Sequence, residues 1–357
     1  MLETDFKYIL DTFFTLFTMT LIIFMVPGFA MLEAGLVRTK NVSAVLTTNV
    51  MIYAVASLAF LLVGYKLAFG NWDSVSSSIW AVFMFQMAFV GKTVNIMSGG
   101  VSERVRIIPL AIFTVVMGAV IYPLVVNISW GADVIAGTIF DIDIYDLAGS
   151  TVIHSTGGWA LLLWIGWFGF NGGSIGSISS VENANSVAKT IMNTNTAGLA
   201  GAIIVGIIMY IKYKLFDITM ILNGALGGGL VAITAASNLY DMYTPILIGF
   251  VGGALVVFAV AVFDKFKLDD PVGALSVHLV NGIWGTLAVG IFVDNVSFIS
   301  QLKGVIVVGI FTFSLSLAVI YIINRLFKFR ANDEAQLIGM DINECGVESY
   351  PEFKRAI

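Results

Sequence analysis

Apolar residues fill this chain in long stretches that polar positions rarely interrupt. Such stretches lie at 8–33, 43–69, 78–99, 107–128, 147–173, 190–211, 217–237, 244–263, 273–293 and 302–326. A surface helix of a soluble protein alternates apolar and polar faces every three or four residues, and these stretches do not. About 20 mostly apolar residues, at ~1.5 Å each, carry a helix across a bilayer. The pattern therefore predicts ten membrane-embedded segments joined by short polar links. Polar character takes over only near the end, which divides the chain into a transmembrane domain over 1–330 and a tail over 331–357.

Composition agrees. Of the 357 residues 58% are hydrophobic and 11% charged, and the mean hydropathy is +0.95. A soluble domain carries ~25% charged residues, so a soluble fold and a disordered chain are both excluded. The net charge of −5 and pI near 5.0 offer no basic face to nucleic acid. The single cysteine, Cys345, permits neither an internal disulfide nor a cysteine metal site. The first apolar stretch is preceded by acidic MLETDFK and is longer than a signal-peptide core, so it is expected to remain as the first span.

Basic residues in short links mark the cytoplasmic side of a membrane protein. Arg38 and Lys40 follow the first segment, Arg104 and Arg106 the third, Lys212 and Lys214 the sixth, Lys265 and Lys267 the eighth, and Arg325, Lys328 and Arg330 the tenth. If every segment crosses once, the first two clusters face one side and the last three the other. The rule is restored only if segment 147–173 enters and leaves on the same side. Its 27 residues span about 40 Å as helix, enough for one crossing and too few for two. It is expected to be re-entrant, or to lack a stretch between His154 and Trp167.

There are two histidines, both in apolar segments. Asp146-x7-His154-x3-Gly158 recurs as Asp270-x7-His278-x3-Gly282, offset by 124 residues. Transporters are commonly built from two repeats with the site at their interface. An ionisable side chain at membrane depth marks function by default, although a single histidine can equally serve to bond a neighbouring helix. Two in matching frames point to a pair facing one path. No acidic or cysteine partner stands three or four residues from either, so no metal site is expected. Phe85, Phe89 and Lys92 follow at i, i+4 and i+7, on one helical face. Trp130 and the run from Trp167 through Phe168 and Phe170 to Ser174 sit near segment ends. Aromatics there form either an interfacial belt or a cage for a cation; composition leaves both open.

Several long motifs resemble the ammonium transporter, methylammonium permease and Rhesus family. They are VPGFAMLEAGLVRTKNV (26–42), FQMAF and SERVR (85–89, 102–106), YPLVVNISWG (122–131), DLAGSTVIHSTGGW (146–159), WFGFNGGS (167–174), NGALGGGLVAIT (223–234) and DDPVGALSVHLVNGIWG (269–285). The tail stretch GMDINECGVESY (339–350) is similar as well. The resemblance implies an all-α bundle of about eleven transmembrane helices in two inverted five-helix repeats. It implies an outer N-terminus, a cytoplasmic C-terminus and a homotrimer in the cell membrane. By position, Phe85, Phe89, Trp130 and Ser174 would bind ammonium, Phe89 and Phe170 would form a gate, and His154 and His278 would line an apolar pore. Asp146 would recruit the ion or start its helix, with Trp167 nearby. No cofactor or enzymatic activity is implied, only ammonium or ammonia as cargo and a possible cytoplasmic partner at the tail.

The chain departs from that family in three places. Only 12 residues separate His154 from Trp167, where relatives carry a further hairpin of about thirty, two half-spans and a loop. Lys92 stands where an apolar residue is usual, and Cys345 where histidine is usual. Transport of ammonium is the first reading. Sensing is the second: a fixed ammonium group inside the gate would limit flux while binding survives. A membrane enzyme has no nucleophile or metal constellation behind it.

Overall fold

The computed structural model describes residues 2–70, 77–130, 144–154 and 162–351. These are almost entirely helical. The elements in chain order are α1 (Glu3–Leu36), α2 (Thr39–Phe69), α3 (Ile79–Val101), α4 (Ile107–Trp130), α5 (Ser150–His154), α6 (Leu162–Gly173), α7 (Val181–Tyr213), α8 (Ile218–Val231), α9 (Thr244–Lys265), α10 (Ala274–Phe292) and α11 (Phe298–Phe327). Two short tail helices follow, α12 (Asp333–Ile338) and α13 (Asp341–Cys345). Among the described residues eight helices are long and apolar enough to cross a membrane: all of α1–α11 except α5, α6 and α8.

Segment 147–173 is not one continuous span. It divides into α5, a single wide π-type turn, and the 12-residue α6, with 155–161 outside the described residues. Leu147, before α5, and Gly173, at the end of α6, line the same cavity at one end of the bundle. The two described ends of the segment thus lie on one side, as the distribution of basic residues requires. The basic groups gather at the opposite end. There Arg38 pairs with Glu103 at 2.8 Å, Arg104 with Asp269 at 2.5 Å and Arg106 with Glu344 at 3.4 Å. Segment 217–237 differs too. Helix continues only to 233, and 234–237 runs in turns. Its middle is Gly227-Gly228-Gly229, where a Cβ on Gly229 would collide with the backbone of Gly198 in α7. Bare backbone lets these helices approach closely, as membrane helices do through small residues.

The tail is docked on the basic end. Its acidic groups cap two spanning helices, since the amide of Ala44 in α2 donates to Asp341 at 2.8 Å and that of Ile107 in α4 to Glu344 at 2.9 Å. Helix N-termini present unpaired N–H groups and a positive dipole end, which carboxylates satisfy. Ser349 Oγ accepts from the Ser43 amide at 2.8 Å, and Lys40 donates to the carbonyls of Gln336 and Leu337.

Candidate functional site

The repeated histidine frame is a repeated structure. The Asp146 carboxylate accepts from the amides of Gly149, Ser150, Thr151 and Val152 at 2.7–3.2 Å, capping the start of α5. Asp270 accepts from the amides of Leu275 and Ser276 at 3.1 and 3.0 Å, capping α10. Three residues after each aspartate a glycine takes positive φ, Gly149 at 94° and Gly273 at 81°. That conformation costs glycine nothing and other residues much, so the fuller frame is Asp-x2-Gly-x4-His-x3-Gly. The Asp-x7-His-x3-Gly frame is legible in the sequence; Gly149 and Gly273 within it are not singled out there, although they repeat just as clearly.

The two capped helices run in opposite directions, one from each end of the bundle. Ser150 Oγ donates to the carbonyls of Val231 and Gly282 at 3.3 and 3.2 Å, and the hydroxyls of Thr151 and Thr286 meet at 2.5 Å. His154 follows Ser150 and Thr151 in α5 and His278 precedes Gly282 and Thr286 in α10, which puts both positions on the tail side of this crossing. His278 is fully buried; the side chain of His154 lies outside the described residues.

At the end opposite the tail a cavity of about 420 Å³ opens above the histidine helices. Phe85, Gln86 and Phe89 of α3, Trp130 at the end of α4, and Gly173 and Ser174 after α6 line it. Its aromatic members are in mutual contact. Ring centroids of Phe85 and Phe89 are 4.6 Å apart, Phe89 and Trp130 6.0 Å, and Phe89 and Phe170 4.4 Å. Phe89 and Phe170 are buried and close the floor. Trp167 lies behind Phe170 at 5.8 Å, its indole N–H donating to Thr234 at 3.2 Å. The Trp130 indole N–H donates to the carbonyl of Asp146 at 2.5 Å, so the cap that starts α5 also fixes one wall of the cavity.

Polar side chains complete the lining, Ser174 and Gln86 among them. Ser174 Oγ donates its proton to the Phe170 carbonyl at 2.7 Å, which leaves the hydroxyl lone pairs for an incoming donor. Gln86 Oε1 is buried with no hydrogen-bond partner. Gln86 is not singled out by sequence, because its position beside Phe85 does not by itself place it at the cavity. Aromatic faces with acceptor oxygens suit a small cation that carries only N–H donors.

Lys92 is one turn further along α3 from Phe89 and does not line this cavity. It is 1% exposed, and its Nζ lies 4.2 Å from the centroid of the Phe29 ring in α1, with no hydrogen-bond partner.

Comparison with known proteins decides the family. The sequence model of the Ammonium Transporter Family matches residues 13–162 and 160–350, nearly the whole chain. The chain belongs to the ammonium transporter family. Among similar members, ammonium transporter Amt2 of Archaeoglobus fulgidus is 30% identical over 411 residues, covering 93% of this chain and 86% of that one. The ammonium transporter of Bacillus subtilis is 28% identical over 412 residues, covering 96% and 98%. These alignments exceed the 357 residues of the chain, so they contain gaps on its side. The family match itself changes segment at 160–162, inside the shortened interval.

Solved structures agree in fold. A structure named Sensor Amt Protein superposes with a TM-score of 0.85 at 26% identity, covering 95% of this chain and 99% of that one. Mep2 of Saccharomyces cerevisiae superposes with a TM-score of 0.81 at 21% identity, covering 93% and 89%. This family member is thus a multi-pass membrane protein, and its relatives are named as transporters, not enzymes.

Proposed function

We propose that this transporter-family chain captures ammonium in the cavity bounded by Phe85, Phe89, Trp130 and Ser174. From there ammonium or ammonia passes across the membrane beneath the Phe89–Phe170 gate, along the path of His154 and His278. The observation that carries this reading is the contiguous aromatic lining, which holds two available acceptor oxygens above a closed ring pair. Aromatic faces attract the cation as water is removed, and the oxygens replace part of its hydration. The apolar floor then favours the neutral amine, because a bare charge in hydrocarbon is costly. Histidine is the side chain suited to hold the released proton near neutral pH.

The basic groups at the tail end support an outer N-terminus and a cytoplasmic C-terminus. A homotrimer, the division into a domain over 1–330 and a tail over 331–357, and a regulatory or signalling partner at that tail belong to the same proposal. Current from purified protein in liposomes after an ammonium concentration jump tests it. A saturating current abolished by Trp130→Ala together with Phe89→Ala is expected.

A second reading, ammonium sensing with little conduction, is favoured by the buried cation of Lys92 just inside the gate and by the similarity to the structure named Sensor Amt Protein. Saturable methylammonium binding without current, and a gain of current in Lys92→Leu, would select it.

A further inference from the structure

Lys92 is buried at 1% exposure with three N–H donors that bond to nothing. What surrounds it is organised. Phe29 and Glu33 lie four residues apart on one face of α1, so the ring and the carboxylate stand one above the other. Helix α3 packs on that face. The Lys92 ammonium sits over the Phe29 ring at 4.2 Å, within cation–π range. Glu33 is the charged group that attracts it. The Glu33 carboxylate is itself held in place, accepting from Ser98 Oγ and Ser102 Oγ at 2.9 Å each. Ser98 lies on α3 beyond Lys92 and Ser102 just past its end, toward the tail end. A fixed aromatic face and a fixed carboxylate thus flank an unbonded primary ammonium.

We propose that Phe29 and Glu33 form an internal binding site for a primary ammonium cation, and that the chain's own Lys92 occupies it. The site is distinct from the outer cavity: Lys92, Phe29 and Glu33 are absent from that cavity's lining. A tethered group acts at an effective concentration in the millimolar range or above, so free ammonium cannot compete while Lys92 is present. Removing the side chain beyond Cβ leaves a space with the shape and charge of the missing amine. Ammonium or methylammonium fills it.

The test is equilibrium binding of labelled methylammonium to the purified full chain in detergent, with folding checked by size exclusion and circular dichroism. Lys92→Ala gains one saturable binding equivalent per chain over the wild type. Lys92→Met, which refills the volume without charge, gains none. Lys92→Ala combined with Glu33→Gln loses the gained equivalent. A folded Lys92→Ala that binds the same number of equivalents as the wild type overturns the proposal. The outer cavity is read out separately: none in the wild type and one in Lys92→Ala supports the inner site and counts against the outer one. Should Lys92→Ala not fold, thermal midpoints decide. Glu33→Gln added to Lys92→Met raises the midpoint if the carboxylate is the counter-charge of Lys92, and a further fall overturns it.

Discussion

Asp146 offers a decisive perturbation, because ion recruitment and helix capping predict different outcomes for it. Its carboxylate is 4% exposed, and both oxygens are committed to backbone amides. Oδ1 accepts from Gly149 and Ser150 at 3.0 and 2.7 Å, Oδ2 from Thr151 and Val152 at 2.9 and 3.2 Å. Asp146→Asn keeps the shape but replaces one oxygen with an amino group that faces two N–H donors. Two hydrogen bonds to a charged acceptor are lost, each of about 1.5–3 kcal/mol, so about 3–6 kcal/mol in all before relaxation. The damage reaches the cavity, because the Trp130 indole bonds to the carbonyl of this residue. The expected result is a lower thermal midpoint in detergent and weaker methylammonium binding, with the binding defect independent of salt. Long-range recruitment by charge would instead be screened over ~8–10 Å at 0.10–0.15 M salt. An unchanged midpoint, with a binding defect that disappears at high salt, would refute the capping argument.

Phe89→Leu removes the ring shared by Phe85, Trp130 and Phe170. Methylammonium affinity should fall about fivefold to thirtyfold, the equivalent of ~1–2 kcal/mol for a desolvated cation–π contact, measured by equilibrium binding. Gln86→Leu removes the free acceptor Oε1 and should lower affinity about fivefold, one hydrogen bond of ~1 kcal/mol, in the same titration. At the tail end, burial works to raise the pKa of Glu103, but hydrogen bonds from Arg38 and Asn41 outweigh it and hold the carboxyl below its ordinary value. A depressed carboxylate adds stability above its unfolded pKa that is lost as pH falls through its folded pKa. The Arg38–Glu103 clasp should therefore persist at neutral pH and release only below the usual carboxylate range. Limited proteolysis near residues 38–41 and 103–106 should rise there, and at every pH in Glu103→Gln.

Much of the bundle is legible in the sequence because lipid imposes a simple demand. Spans expected at 78–99 and 107–128 are observed as Ile79–Val101 and Ile107–Trp130. The failures have physical causes. The expected 190–211 is Val181–Tyr213, because two polar turns precede the apolar run, and polar residues further along are satisfied inside the bundle. Asn193, for example, is fully buried and donates to the carbonyls of Ser237 and Tyr240 at 2.8 and 3.1 Å. The aromatic cavity is legible through motif position, since Phe85, Phe89, Trp130 and Ser174 all reach it. Gln86 and Phe29 are not, because their roles depend on how α3 rotates against its neighbours. Helical spacing places Lys92 on the face of Phe89, yet its long side chain ends over a ring of α1. Periodicity fixes where a side chain starts and says little about where four methylenes finish.

The shortened interval ties these observations together. In the second half of the chain the capped histidine helix α10 runs 19 residues, Ala274–Phe292, and crosses the bundle. In the first half the corresponding cap at Asp146 starts α5, described over Ser150–His154. The chain then returns through α6 to the end where it began. What the first half retains is the outer end: the Asp146 cap holds Trp130, and the return arm brings Phe170 against Phe89 and Ser174 to the rim. Lys92, Glu33 and the docked tail lie on the tail side of this assembly. A change there is expected to alter passage and coupling to the tail while leaving the outer cavity in place. On the proposed reading binding and conduction are separable, and each is measured by itself: titration with methylammonium reads the outer end, and current reads the path beyond the gate.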